Sequence, residues 1–119
     1  MLGCLLGFTS VAGGAFGAHA LESRLAPDLL EVFHTGTRYA MFHTPALLMT
    51  GLLAARGAGT SARLAGVAFT LGALLFTGSL WTLALTGQRW LGAVTPLGGL
   101  SFLVGWLALA RAGWRLPPP

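Results

Sequence analysis

The hydrophobic positions of this chain fall into four long stretches that short polar segments separate. The stretches cover residues 2–20, 39–55, 64–85 and 91–110. Each is close to the roughly 20 apolar residues that a helix needs to cross a bilayer. The pattern therefore predicts an all-α integral membrane protein with four transmembrane helices. Because these helices use most of the chain, we expect residues 1–119 to form a single transmembrane domain.

The longest polar connection, between the first two stretches, carries a helical signal of its own. Pro27 stands between Ala26 and Asp28, an order that is typical of the first turn of a helix. Apolar and polar residues then mix at helical spacing as far as Arg38. The segment 27–38 therefore predicts a short amphipathic helix that lies at the membrane interface between the first and second spans.

Composition supports the membrane assignment. Hydrophobic residues make up 55% of the chain and charged residues only 8%, against about 25% charged residues in a soluble domain. The seven basic residues are scattered singly, mainly near predicted helix ends, where cationic side chains anchor membrane helices. A nucleic-acid-binding surface needs a basic stripe or patch. We therefore expect the lipid bilayer, and no nucleic acid, as a partner despite the net charge of +4.

The arginines also predict an orientation. With four spans, the loop 56–63 and the C-terminal end share one side of the membrane and carry four arginines. The other side carries Arg24, Arg38 and Arg89, together with all three acidic residues. Since cytoplasmic loops are enriched in basic residues, we expect both termini in the cytoplasm and the chain in the bacterial inner membrane.

Small residues recur along the predicted helices. In lipid, rows of small residues let helix backbones approach closely. We interpret these rows as packing faces within the bundle, and the alternative is a face for a homo-oligomer or for another membrane protein. The glycines predicted to serve this packing are Gly3, Gly7, Gly13, Gly17, Gly78, Gly98 and Gly99.

The ionisable chemistry is gathered in one segment, because all three histidines and all three acidic residues lie from His19 to His43. His19 ends the first predicted span and His43 begins the second, so a helical hairpin would place both at the same end. Neighbours three or four positions away share a helix face with each histidine. We therefore expect a polar cluster at one membrane depth, formed by His19, Glu22, Arg38, Tyr39 and His43, with Glu31 and His34 as secondary candidates.

This cluster has several interpretations. The structural one is a hydrogen-bonded clasp that satisfies polar groups at the edge of the hydrocarbon. Because ionisable groups within membranes are often functional, a proton or ion relay and a site for a quinone or a lipid headgroup stay open. A haem held by His19 and His43 is a further alternative, and Glu31 and His34 supply only one Glu-x-x-His motif, where di-iron bundles use two. We expect no metal and no cofactor.

The chain lacks the sequence motifs of the common catalytic centres. We therefore expect no enzyme, and we favour a structural, assembly or accessory protein of the membrane. The alternatives are a small oligomeric proton-coupled transporter or channel that uses the His/Glu cluster, or a membrane protein that binds quinone, lipid or haem.

A family resemblance supports this interpretation. Residues 14–21 read GAFGAHAL and resemble the hallmark GAFGAH-[AG]-L of a family of small membrane proteins of unknown function, typified by the bacterial YwdK and YgdD proteins. Residues 30–39, 75–80 and 91–99 resemble three further blocks of that family, LEVWxTGxxY, LFSGSLY and LGxxTPxGG. The resemblance implies a four-helix integral membrane protein. It supplies no activity.

Overall fold

The chain folds into four helices joined by short connections, as a computed structural model describes for residues 1–115. The helices are α1 (Leu2–Leu21), α2 (Pro27–Ala55), α3 (Gly59–Thr86) and α4 (Arg89–Trp114). The described residues contain no β-strand, and the predicted all-α class is confirmed. Successive helices run antiparallel and form a bundle.

Helices α1 and α2 pack along most of their length through the glycine face of α1. A Cβ atom added at Gly3 would lie 2.8 Å from the side chain of Leu48, and one at Gly17 would lie 2.9 Å from the ring of His34. Glycine permits this close approach because it carries no Cβ atom. The glycine face of α1 is therefore covered by other helices of the bundle. The glycines of α1 and their neighbours are Gly3 with Leu48, Gly7 with Thr44, Gly13 with Trp81 and Gly17 with His34.

Helices α3 and α4 interlock by exchanging phenylalanines and glycines. The rings of Phe69 and Phe102 lie over glycines of the facing helix, and the backbone of Phe76 lies against a third glycine, in a single antiparallel register. Gly98 makes the closest approach, because a Cβ atom there would lie 2.4 Å from the backbone nitrogen of Phe76. The pairs are Phe69 with Gly105, Phe102 with Gly72 and Phe76 with Gly98. By contrast, a Cβ atom at Gly78 would meet no atom within 4 Å.

Helix α2 corrects the predicted separate interfacial helix at 27–38. One helix runs unbroken from Pro27 to Ala55 and passes through Pro45. Its buried positions continue at intervals of three or four residues across the predicted boundary between Arg38 and Tyr39. The inward stripe therefore stays in phase, and no change of direction is needed. The charged side chains that suggested an interfacial helix lie on its exposed side.

Three of the four helices, α1, α3 and α4, are long and apolar enough to cross a membrane. Helix α2 is not among them, and its first half carries Asp28, Glu31 and Arg38. Large hydrophobic side chains such as Phe8 and Leu107 are exposed around the bundle, as expected of a surface that faces lipid.

Polar side chains join the helices where they lie closest. The indole nitrogen of Trp81 donates a 3.1 Å hydrogen bond to Thr37 Oγ1, and Thr77 Oγ1 donates a 3.0 Å bond to the carbonyl of Gly36. Both bonds tie α3 to α2. Side-chain hydroxyls of Ser79 on α3 and Thr95 on α4 lie 2.8 Å apart. In these two helix pairs, α2 with α3 and α3 with α4, the polar groups therefore lie together as partners rather than as unsatisfied groups.

Candidate functional site

A groove on the lateral face of the bundle, between α2 and α4, combines polar and aromatic groups. It has a volume of about 630 Å³, within the range of roughly 300–1,000 Å³ that is usual for small-molecule sites. We call it the aromatic groove, and it is lined by Arg38, Tyr39, Phe42, His43, Phe76, Gly99, Phe102, Leu103 and Trp106.

Helix periodicity explains why these residues meet. Positions three and four apart lie on one helix face, and both α2 and α4 present such a set to the groove. Phe76 of α3 closes the floor between them. Gly99 keeps the groove open, because it carries no side chain and a Cβ atom there would only touch the ring of Phe76 at 3.9 Å.

His43 forms the buried polar part of the groove. Its ring lies parallel to that of Phe102, with centroids 3.6 Å apart and an angle of 7° between the planes. Its Nδ1 donates a 2.7 Å hydrogen bond to the backbone carbonyl of Tyr39, since a carbonyl oxygen can only accept. In the neutral ring the lone pair therefore belongs to Nε2.

The Nε2 atom of His43 faces the groove without a protein partner. Among the described residues no hydrogen bond involves this nitrogen. Within residues 1–115, every side-chain nitrogen or oxygen that is fully enclosed by protein has a hydrogen-bond partner. Because Nε2 has no partner, it is not fully enclosed. The side chain as a whole is buried and lines the groove, and the groove is therefore where Nε2 is reached.

Arg38 is the charged group at one end of the groove. Its Nη2 donates to the carboxylate of Glu31 and, at 3.1 Å, to Thr35 Oγ1. The two charged side chains stay 61% and 64% exposed, so the ion pair contributes at most about 1 kcal/mol. Next to Arg38, the ring of Tyr39 stacks on Phe76 with centroids 4.3 Å apart. The groove thus runs from a cation into an aromatic interior.

The predicted five-residue cluster does not form as one site. Tyr39 and His43 meet through the hydrogen bond described above, and Arg38 lines the same groove. His19 and Glu22 lie exposed at the far end of α1, and no hydrogen bond or ion pair of the described residues joins them to the other three.

The α1–α2 register gives the reason for this separation. Gly17 lies beside His34, so His19 lies beyond the level of His34, whereas His43 is nine positions further along α2. At 1.5 Å per residue, the two histidines lie about 16 Å apart along the bundle axis. Helix α2 begins at Pro27, well before His43, so His43 does not lie at the helix end that the sequence predicted.

This separation also bears on metal and haem binding. Two histidines about 16 Å apart along the axis cannot ligate one iron, since each ligand must reach the metal at about 2 Å. Within residues 1–115, no three His, Cys, Asp or Glu side chains come together as a metal site would require. Glu31 instead pairs with Arg38, and His34 packs against Phe33 with ring centroids 6.4 Å apart.

Sequence reasoning missed the aromatic wall of the groove. Phe102 and Trp106 lie four positions apart on α4, and Phe42 follows Tyr39 by three on α2. This spacing places each pair on one helix face. The pattern was visible in the sequence, but the same pattern describes any lipid-facing helix, and only the packing of α2 beside α4 brings the two faces together.

Comparison with known proteins agrees with the membrane assignment. Residues 13–99 match the model of a family described as "Protein of unknown function (DUF423)". A UPF0382 membrane protein of Staphylococcus saprophyticus is 43% identical over 98% of this chain and 96% of its own length. The UPF0382 membrane protein YwdK of Bacillus subtilis is 40% identical over 94% of this chain and 92% of its own length.

The UPF0382 inner membrane protein YgdD of Escherichia coli is 40% identical over 92% of this chain and 84% of its own length. No solved structure matches the chain significantly. The matches cover the blocks on which the resemblance was based, and they confirm it. The chain therefore belongs to the DUF423 family of membrane proteins of unknown function.

Proposed function

We propose that this chain crosses the membrane four times and acts without catalysis, as an accessory membrane protein that binds an amphiphile in the aromatic groove. The amphiphile has a polar head that lies near Arg38 and an apolar tail that follows the groove. The observation that carries the proposal is the groove itself, which opens sideways from a bundle whose surrounding surface is apolar.

The fourth span, α2, is supported by the topology. Helices α1 and α3 both run antiparallel to α2 and pack along it, with Gly3 beside Leu48 and Thr77 bonded to Gly36. Two parallel spans require the chain to return across the bilayer between them, and α2 is the segment that connects them. Its charged side chains lie at or before Arg38, so the segment 39–55, which carries no charged residue, is the part that meets the membrane interior.

The depth of the groove follows from this placement. Arg38 precedes Ala55 by about 25 Å of helix, and the hydrocarbon core is about 30 Å thick. With the C-terminal end of α2 at one membrane surface, Arg38 lies near the opposite edge of the hydrocarbon. The groove then opens into the lipid, with Arg38 at its rim and Trp106 deeper. A membrane amphiphile has this polarity.

The charge distribution supports the predicted orientation in the inner membrane. Arg56, Arg63, Arg111 and Arg115 lie at one end of the bundle, and all three acidic residues lie towards the other. By the positive-inside rule, the four-arginine end and both termini face the cytoplasm. Arg38 and the rim of the groove then belong to the outer leaflet.

The transporter alternative finds less support. It relied on His19, Glu22 and His43 acting as one proton-coupled site, and the helix register separates them. The partner alternative relied on the glycine faces of the helices. Those of α1 already contact α2 and α3, and Gly98 contacts α3, whereas Gly78 contacts nothing within 4 Å. Binding in the aromatic groove requires neither a joint site of His19, Glu22 and His43 nor a free glycine face.

The test is photolabelling in lipid nanodiscs with a fatty alcohol that carries a diazirine in its tail. We expect cross-links, mapped by mass spectrometry, to concentrate on groove residues such as Leu103 and Trp106. Gly99→Leu fills the groove with a side chain and should remove that labelling. Gly113→Leu makes the same change on the same helix, where a Cβ atom meets nothing within 4 Å, and should leave the labelling intact. Labelling spread evenly over the lipid-facing surface, unchanged by Gly99→Leu, would contradict the proposal.

A further inference from the structure

We propose that the amphiphile of the aromatic groove carries a hydroxyl group on an aromatic head, as a quinol or a long-chain phenol does, and that this hydroxyl donates to His43 Nε2. The inference rests on the proposed function, because it assigns the chemical class of ligand to the same groove. It is argued from the hydrogen bonding of His43 and from the rings around it.

The hydrogen bond to the Tyr39 carbonyl decides which kind of ligand group can bond to His43. Because Nδ1 holds the proton, the neutral ring offers only a lone pair at Nε2. A phosphate or a carboxylate carries acceptors alone and gains nothing from this atom. A ligand hydroxyl supplies the missing donor, and in an apolar groove such a bond is not weakened by competing water.

The walls of the groove favour a flat head. Tyr39, Phe76 and Phe102 form a stacked series with His43, in which neighbouring centroids are 3.6 to 6.4 Å apart. Aromatic pairs contribute beyond the apolar area that they bury when they stack or meet edge to face. An aromatic ring extends this series, whereas the branched glycerol of a phospholipid does not.

Arg38 completes the recognition at the rim. Its guanidinium has five N–H donors, and the contacts with Glu31 and Thr35 both use Nη2. The remaining donors are suited to a second oxygen of the ligand, such as the other ring oxygen of a quinol. The groove therefore offers an acceptor in its interior and donors at its edge.

The experiment compares para-nonylphenol with para-nonylanisole, which share ring and tail and differ only in that the methyl ether cannot donate. Each competes with the diazirine probe for the groove in nanodiscs, and the concentration for half displacement is measured. For His43→Phe, which keeps a ring against Phe102 but has no acceptor, we expect a threefold to tenfold loss of phenol affinity, the size of one hydrogen bond. The anisole should compete equally well with both proteins. The partitioning of each ligand into lipid cancels, because its half-displacement concentration for one protein is compared with that of the same ligand for the other protein.

Two further variants complete the design. His43→Gln restores an acceptor and should recover the preference for the phenol, and His19→Phe makes the same ring exchange at an exposed position outside the groove and should change nothing. If wild-type protein and His43→Phe bind the phenol equally while Gly99→Leu still blocks labelling, the hydroxyl assignment is overturned and the groove proposal stands. If Gly99→Leu has no effect, both proposals fail.

Discussion

The closest helix contact in the bundle gives a quantitative test of the fold. A Cβ atom at Gly98 would lie 2.4 Å from the backbone nitrogen of Phe76 and 2.7 Å from its Cβ. These atoms belong to the α3 backbone and cannot rotate away. Ordinary contacts lie at about 3.5 Å or more, so Gly98→Ala must push α4 away from α3 by about 1 Å.

The neighbouring glycine provides the matched control. At Gly99 an added Cβ atom would meet only the ring edge of Phe76, at 3.9 Å, which is an ordinary contact. Both Gly→Ala changes raise helix propensity by up to about 1 kcal/mol, and this gain cancels in the comparison. The difference between the two variants therefore isolates the steric cost. Overpacking of this kind typically costs about 1–3 kcal/mol.

The assay is reversible unfolding in mixed micelles with a rising mole fraction of SDS, followed by far-ultraviolet circular dichroism. We expect Gly98→Ala to be less stable than Gly99→Ala by about 1–3 kcal/mol, since moving α4 also loosens the contact of Phe102 with Gly72. Equal stability of the two variants would refute the reasoning, because it would mean that α3 and α4 do not approach as closely as described.

Two further predictions test the contacts and the topology. Trp81→Phe and Thr37→Val should each destabilise the protein in the same assay. A double-mutant cycle should give a coupling of about 1 kcal/mol, the net value of one hydrogen bond. If the two substitutions act independently, the α2–α3 hydrogen bond is contradicted. In a background without the native cysteine, single cysteines at Ser23 and Thr60 should react with a membrane-impermeant maleimide from opposite sides of sealed vesicles, and labelling from one side only would show that α2 does not cross.

The sequence predicted the all-α class because the signal for each helix is local. Stretches of apolar residues and the arginines at their ends depend on the solvent that each helix meets, so the predicted stretches 2–20, 64–85 and 91–110 lie within α1, α3 and α4. The sequence did not show that the segment 27–55 forms one helix. Charged residues before Tyr39 suggested a change of environment, whereas the buried face from Phe33 to Thr50 shows that the neighbouring helices continue beside it.

The candidate site was harder to predict because it depends on helix register. Residues close in sequence, such as His34 and His43, lie at different depths, and Phe102 comes to lie on His43 although the two are about half the chain apart in sequence. No periodicity within one helix contains that information. It arises from the fit of phenylalanines over glycines between α3 and α4, which sets the height of Phe76 and Phe102 beside α2.

The hydroxyl groups of the bundle explain why the Nε2 atom of His43 carries so much of the functional argument. Most threonine side chains, including Thr44, Thr50 and Thr70, donate to a carbonyl of their own helix, usually four residues earlier. In this way the helices satisfy their polar groups without water, as a membrane requires. By contrast, His43 is a buried side chain whose Nε2 has no hydrogen-bond partner among the described residues. Because an unpaired polar group in an apolar environment costs free energy, a ligand donor that satisfied Nε2 would recover that cost, and this gain is what the comparison of phenol with anisole measures.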